Sequence, residues 1–242
     1  MADYQTTRAA VGAGTQTGTF DEGLRTHMTA VYRQMSVAMV ITAGVSWAVG
    51  TNDAMVQAIF MTPLKWVVMF APLVMVFAFG AVLSRLSAAS AQLYFYAYSA
   101  LMGLSLSFIF AVYTSGSIAS TFMATAAAFA GLSLYGYTTK RDMTGFGSFL
   151  IMGVVGLIVA SLINIFLASP AVNFAISAIG VLLFAGLTAY DTQKIKGMYL
   201  EHAQTGDSEW LGKSAVMGAL TLYLDFINLF MFMLRFMGNS RS

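Results

Sequence analysis

Residues Leu86–Thr139 read LSAASAQLYFYAYSALMGLSLSFIFAVYTSGSIASTFMATAAAFAGLSLYGYTT, without a single Asp, Glu, Lys, Arg or His. A membrane-crossing helix needs about 20 consecutive apolar residues at 1.5 Å each. The stretch is too long for one such helix and right for two, with Tyr113–Ser117 (YTSGS) as the turn between them. The whole chain agrees: 58% of its 242 residues are hydrophobic and 9% charged, where a soluble domain carries about 25% charged residues. A soluble fold of this composition lacks the surface charge to stay dissolved. The expected class is therefore an all-α membrane protein.

Working outward, the other charge-free intervals place further spans. Gln34–Asn52 covers one bilayer, and Asp21–Arg33 (DEGLRTHMTAVYR) leads into it with Leu24, Met28 and Val31 at helical spacing. Trp66–Ser84 is bounded by Lys65 and Arg85, opened by Pro63, and carries Pro72 where a bend is expected. Met143–Tyr190 holds two more spans, broken at Ser169-Pro170. The seventh, Ser214–Phe236 (SAVMGALTLYLDFINLFMFMLRF), has a span's length and apolarity but carries Asp225 at its centre. An ionised carboxylate there costs roughly 2.5–3.5 kcal/mol, so this helix is expected inside the bundle. The expected organisation is a flexible tail over 1–20 and a transmembrane domain over 21–238. Its spans are placed near 31–51, 64–84, 92–113, 118–138, 146–168, 172–191 and 214–236. Ser99, Gly103 and Ser107, Gly44 and Ala48, and Ala127 and Gly131 repeat at four-residue spacing and are expected as packing faces.

Met1–Phe20 lacks a basic region followed by an apolar one, so no signal peptide is expected. With the N-terminus in the cytoplasm, that side carries Arg8, Arg25, Arg33, Arg85, Lys140, Arg141, Lys194, Lys196 and Lys213. The opposite side keeps Lys65, Arg235 and Arg241, which is a positive-inside bias. Seven spans leave the C-terminus outside; a re-entrant last segment would return it to the cytoplasm. Without cysteine, disulfides, thiolate catalysis and cysteine-ligated metals are excluded. His27 and His202 lie outside the expected spans and far apart, which argues against a histidine metal site. Nothing in the pattern of basic residues suggests nucleic acid.

The informative residues are the charges inside or at the ends of helices: Asp191 in FAGLTAYDTQKIK, Asp225 in LTLYLDFINLF and Arg85 in GAVLSRLSAASAQ. An ionisable group within a membrane span is a functional hypothesis by default. Each also has an ordinary reading. Asp225 would be a neutral acid bonded to a neighbouring helix, Asp191 a cytoplasmic cap, and Arg85 a positive-inside anchor. If the sixth and seventh helices are neighbours, the two carboxyls meet and share one proton. Arg85 then pairs with whichever carboxylate is freed. Such a unit is a pH-dependent latch and an oxygen-rich site for transient calcium at Asp191 and Asp225. Asn228, on the Asp225 face, and Tyr190, beside Asp191, are the expected supporting polar groups.

The motifs FAGLTAYDTQKIK, ALTLYLDFINLFMFMLRFMG and SLYGYTTKRD, with the N-terminal DEGLRTHMTAVYRQM, resemble the Bax inhibitor-1 family, in particular its bacterial YccA/YetJ-like members. The likeness runs from about Phe20 to Gly238. It implies six helices around a central seventh, with Asp191 and Asp225 as the family's paired-carboxylate pH sensor. It also implies a pH-gated calcium leak, and Arg85 as the arginine that locks to the sixth-span aspartate in the closed state. Calcium is then the permeant ion, with no tightly bound cofactor, and the location is the inner membrane. Regulation through a basic cytoplasmic tail is not expected, since only Gly238–Ser242 follows the last span.

Three other functions share these residues. An intramembrane aspartyl protease would use two aspartates on consecutive spans, but it needs a glycine-rich GxGD where this chain reads LYLD. A cation/proton exchanger would load the same carboxylates alternately with proton and cation. A non-transporting regulator would instead meet a membrane-protein partner, such as a protease or a stress-response component.

Overall fold

A computed structural model describes the backbone over 3–202 and 207–240, and side chains from residue 22 onward. Among the described residues the structure is helical: α1 (Asp3–Gly50), α2 (Asp53–Phe60), α3 (Leu64–Val82), α4 (Ala88–Leu106), α5 (Ile109–Val112), α6 (Ser115–Thr138), α7 (Thr144–Leu167), α8 (Pro170–His202) and α9 (Ser208–Met237). Six helical segments are long and apolar enough to cross a membrane: Leu64–Arg85, Ala88–Val112 and those of α6, α7, α8 and α9. Glu22–Gly50 of α1 and the short α2, which turn by 95° on each other, together meet the same length and apolarity and make a candidate seventh span.

The backbone is helical from Asp3, where the sequence suggests a flexible tail. No proline interrupts that stretch, and its Ala, Gln and Thr all tolerate helical backbone. Helix α8 continues for three turns beyond Asp191, so this aspartate lies within a helix and does not end one. Helix α3 runs through Pro72. Between α7 and α8 the chain reverses at Ala168, whose φ of 47° is left-handed, and Pro170 then opens the next helix.

Helix α9 is the centre of the molecule. It is the most buried of the spanning helices, apolar on all sides, as a helix enclosed by others must be. It packs against α1, α4, α6 and α8, while α3 lies on α4 and α7 on α8 at the periphery. Its first turn is capped by Asp207, which accepts from the backbone N–H groups of Glu209 and Trp210. Glu209 Oε1 in turn accepts the Ala88 N–H at 2.7 Å, so α9 caps the start of α4. At the far end Thr114 N–H donates to the Asn239 carbonyl at 3.2 Å, and Asn239 N–H to Ser117 Oγ at 2.7 Å. The last helix thus runs unbroken from one end of the bundle to the other. It has the length and apolarity of a full span, and Glu22 and Ser240 lie at opposite ends of the bundle.

The small residues divide. The Ser99–Gly103–Ser107 face forms the α1–α4 seam: a Cβ at Gly103 would sit 2.6 Å from the Thr42 carbonyl oxygen. Gly44, Ala48 and Gly131 are exposed instead, and neither glycine has an atom near its would-be Cβ. They face away from the neighbouring helices because other faces of α1 and α6 carry the core contacts.

Candidate functional site: a buried carboxyl pair between the sixth and seventh spans

Helices α8 and α9 run antiparallel in direct contact along their length, with Phe184 stacked on Phe232 at 5.6 Å. At the same seam the Asp191 and Asp225 carboxyls lie within interaction distance of each other. A carboxylate only accepts, so a hydrogen bond between them requires that one of the two carry a proton. Asp225 is 5% exposed, and its Oδ2 is buried without a partner among the described residues. Asp191 is half-buried, and the Lys194 ammonium one turn on acts on it electrostatically. The pair therefore has one enclosed member and one that communicates with the charged end of the bundle.

Beside the pair runs a line of buried hydroxyls that spacing alone did not single out. The hydroxyls of Tyr32 on α1 and Ser133 on α6 share a hydrogen bond. Ser133 also shares one with Thr192 at 3.0 Å, and Thr192 donates to the Thr188 carbonyl at 2.7 Å. Thr188 and Thr192 are fully buried and flank Asp191 on α8. A second node joins Thr42, Tyr223 and the Ser99 carbonyl, at 2.7 Å and 2.8 Å. The signal for both was four-residue hydroxyl spacing, which in so apolar a chain cannot be told from ordinary helix packing.

The expected supporting groups go elsewhere. Asn228 donates to the Leu224 carbonyl at 2.8 Å, one turn back along its own helix, and not to Asp225. The Tyr190 ring lies over Gly147 of α7, on the side of α8 away from α9. Arg85 sits exposed in the turn Leu83–Arg85 after α3. It makes no ion pair with a described residue, where the only such pair is Lys213–Glu209. The Arg85–Asp191 lock is thus not formed. The helix that follows this turn, α4, has its first N–H capped by Glu209 of α9. Gln193 ties α8 to the loop before α7: it accepts the Met143 N–H at 3.0 Å and donates to the Arg141 carbonyl at 2.8 Å.

The histidines are also separate. His27 stacks on Tyr199 and His202 on Trp210. Among the described residues no three His, Cys, Asp or Glu side chains converge as a metal-binding group. The carboxyl pair offers oxygen ligands, but fewer than the six to eight that calcium takes. Water would have to complete the shell, which suits an ion in transit.

Comparisons with known proteins agree with this architecture. The family model described as "Inhibitor of apoptosis-promoting Bax1" matches residues 24–242. The "Inner membrane protein YbhL" of Escherichia coli (strain K12) is 48% identical over 220 residues, covering 90% of this chain and 94% of that protein. An uncharacterized protein of Rickettsia prowazekii (strain Madrid E) is 43% identical over 242 residues, covering 100% of both. Another, of Borreliella burgdorferi, is 44% identical over 213 residues, covering 88% of this chain and 91% of that one. With several long apolar helices packed around a buried last one and a family match over residues 24–242, this chain belongs to the Bax inhibitor-1 family of multi-pass membrane proteins.

Proposed function

We propose that this protein is a pH-sensitive calcium leak channel of the inner membrane, gated by the proton shared between Asp191 and Asp225. The observation that carries the reading is the adjacent carboxyl pair at the joint between α8 and the central helix. With one proton, the pair ties the two helices together. Without it, two adjacent carboxylates repel in a medium of low dielectric. The seam loosens, and hard oxygen ligands become available to a divalent cation. The name of the Escherichia coli relative supports the inner membrane, and the Lys/Arg bias supports a cytoplasmic N-terminus.

Catalysis fits the site poorly. Both aspartates lie within unbroken helices, so no backbone beside them is open to pair with an extended peptide, as a protease requires. The test is calcium entry into liposomes that hold the purified protein and a calcium dye, across the neutral pH range. Flux should rise with pH, and Asp225→Asn and Asp191→Asn should each abolish that dependence. A wild-type protein without flux would point to a non-transporting membrane regulator. Calcium driven uphill by a pH gradient would point to an exchanger.

A further inference from the structure

Helix α1 and helix α6 flank α9 but scarcely pack on each other. The space between them is a groove of about 830 Å³. Its floor is aromatic: Phe226 of α9 lies with its ring 5.5 Å from those of Phe122 and Phe129 of α6. Its rim faces outward, with Val40 71% and Leu134 63% exposed. Polarity changes along its length. Arg25, Thr29 and Tyr137 line the end near the start of α1, while Met39, Val40 and Ala126 line the deep end. A second cavity of about 400 Å³ shares Met39 and Phe122 with the first and continues past Trp47 and Met123. Arg25 makes no ion pair with a described residue.

We infer that this groove binds one acyl chain of a membrane phospholipid, with the anionic phosphate held at Arg25. The dimensions select the occupant. From Arg25 to Val40 is ~22 Å along a helix at 1.5 Å per residue. A volume of about 830 Å³ then gives a mean cross-section of ~37 Å², about half the ~80 Å² of a helix ~10 Å across. A hydrocarbon chain fits that section along its length, whereas a partner's transmembrane helix would be seated only partly within it. The gradient from a lone cation, past the Tyr32, Ser36 and Ser133 hydroxyls, to an apolar deep end matches an amphiphile entering from the membrane surface. The lipid would also abut the carboxyl pair, since Phe226 follows Asp225 and Ser133 bonds Thr192 beside Asp191. The inference stands independently of calcium conduction.

The experiment uses the full chain in nanodiscs of phosphatidylcholine. These are doped with equal small amounts of phosphatidylglycerol or phosphatidylcholine bearing a photoreactive group in one acyl chain. Adducts are mapped by mass spectrometry. We expect the phosphatidylglycerol probe to label groove residues such as Met39 and Ala126 about fivefold more than the phosphatidylcholine probe, equivalent to the ~1 kcal/mol of one basic residue at an anionic surface. Arg25→Gln should remove that preference. Ala126→Trp, which fills the groove, should remove most groove adducts and leave those on the outer face of α7, at Ile158 and Phe166, unchanged. Equal labelling of the groove and the α7 face, indifferent to Ala126→Trp, would overturn the inference. So would equal labelling by both probes in the wild type, or a second copy of the chain cross-linked across the groove. If Ala126→Trp does not fold, the wild-type and Arg25→Gln comparison still decides.

Discussion

Asp225 is a carboxyl in a helix that is otherwise apolar on every side, and such a group persists in a membrane only neutral or partnered. Asp191, on the neighbouring helix, lies beside it as such a partner. Asparagine has nearly the same shape and cannot ionise. Asp225→Asn should therefore leave the thermal midpoint in detergent nearly unchanged, within about 1 kcal/mol, the net worth of one hydrogen bond. A large loss of stability would mean that the pair holds the fold and does not gate it. A second carboxylate behaves differently. Asp142, in the loop before α7, accepts from the N–H and hydroxyl of Thr144 at 2.9 Å and 2.6 Å, and these bonds hold it below the usual carboxylate range. A lowered folded-state value means the contribution is present above the unfolded value and is lost as pH falls through the folded one. Hydrogen exchange at the Thr144 amide should accelerate on acidification, and Asp142→Ala should make it fast at every pH. The two aspartates were legible in the sequence because charge is so rare there. Their partners were not: Asn228 and Tyr190 share the right sequence neighbourhood, but helix rotation sends one to its own backbone and the other toward α7.

At the scale of helices, the close approach between α6 and α8 holds Asp191 in place. A Cβ at Gly136 would collide with the Ala189 backbone, two residues from Asp191. Gly136→Ala should cost about 1–3 kcal/mol by overpacking, read as a lower thermal midpoint. Gly44→Ala, with open space around it, should be neutral or slightly stabilising, as alanine favours a helix. Sequence alone treated Gly44 and Gly103 alike, because four-residue spacing marks a face without saying what it meets; Gly136 gave no such signal. The reversal at Ala168 is a second local test. Its left-handed φ of 47° is strained for a residue with a Cβ and free for glycine. Ala168→Gly should raise the thermal midpoint, and a fall would show that the strain is absent. The break at Ser169-Pro170 was legible from proline's missing N–H; the left-handed residue before it was not, since alanine gives no such signal.

Over the whole molecule, the near absence of charge dictated membrane helices, and α9 is one continuous helix long and apolar enough to cross. What composition could not supply was depth: which helix lies at the centre follows from burial on every face and from caps at both ends. The Lys/Arg bias predicts that a cysteine placed at Arg8 is labelled only from the cytoplasmic side by an impermeant reagent, and one at Ser240 only from the opposite side. Labelling of both from one side would contradict seven crossings. The central claim is that loss of the proton shared by Asp191 and Asp225 opens the leak. The most direct measurement follows the protonated carboxyl band by infrared difference spectroscopy in reconstituted liposomes, alongside calcium flux on the same preparation as pH is raised. The account predicts one carboxyl band that disappears over the pH interval in which flux rises, with both changes missing in Asp225→Asn. A band that titrates while flux stays constant, or flux that rises with the band intact, would contradict it.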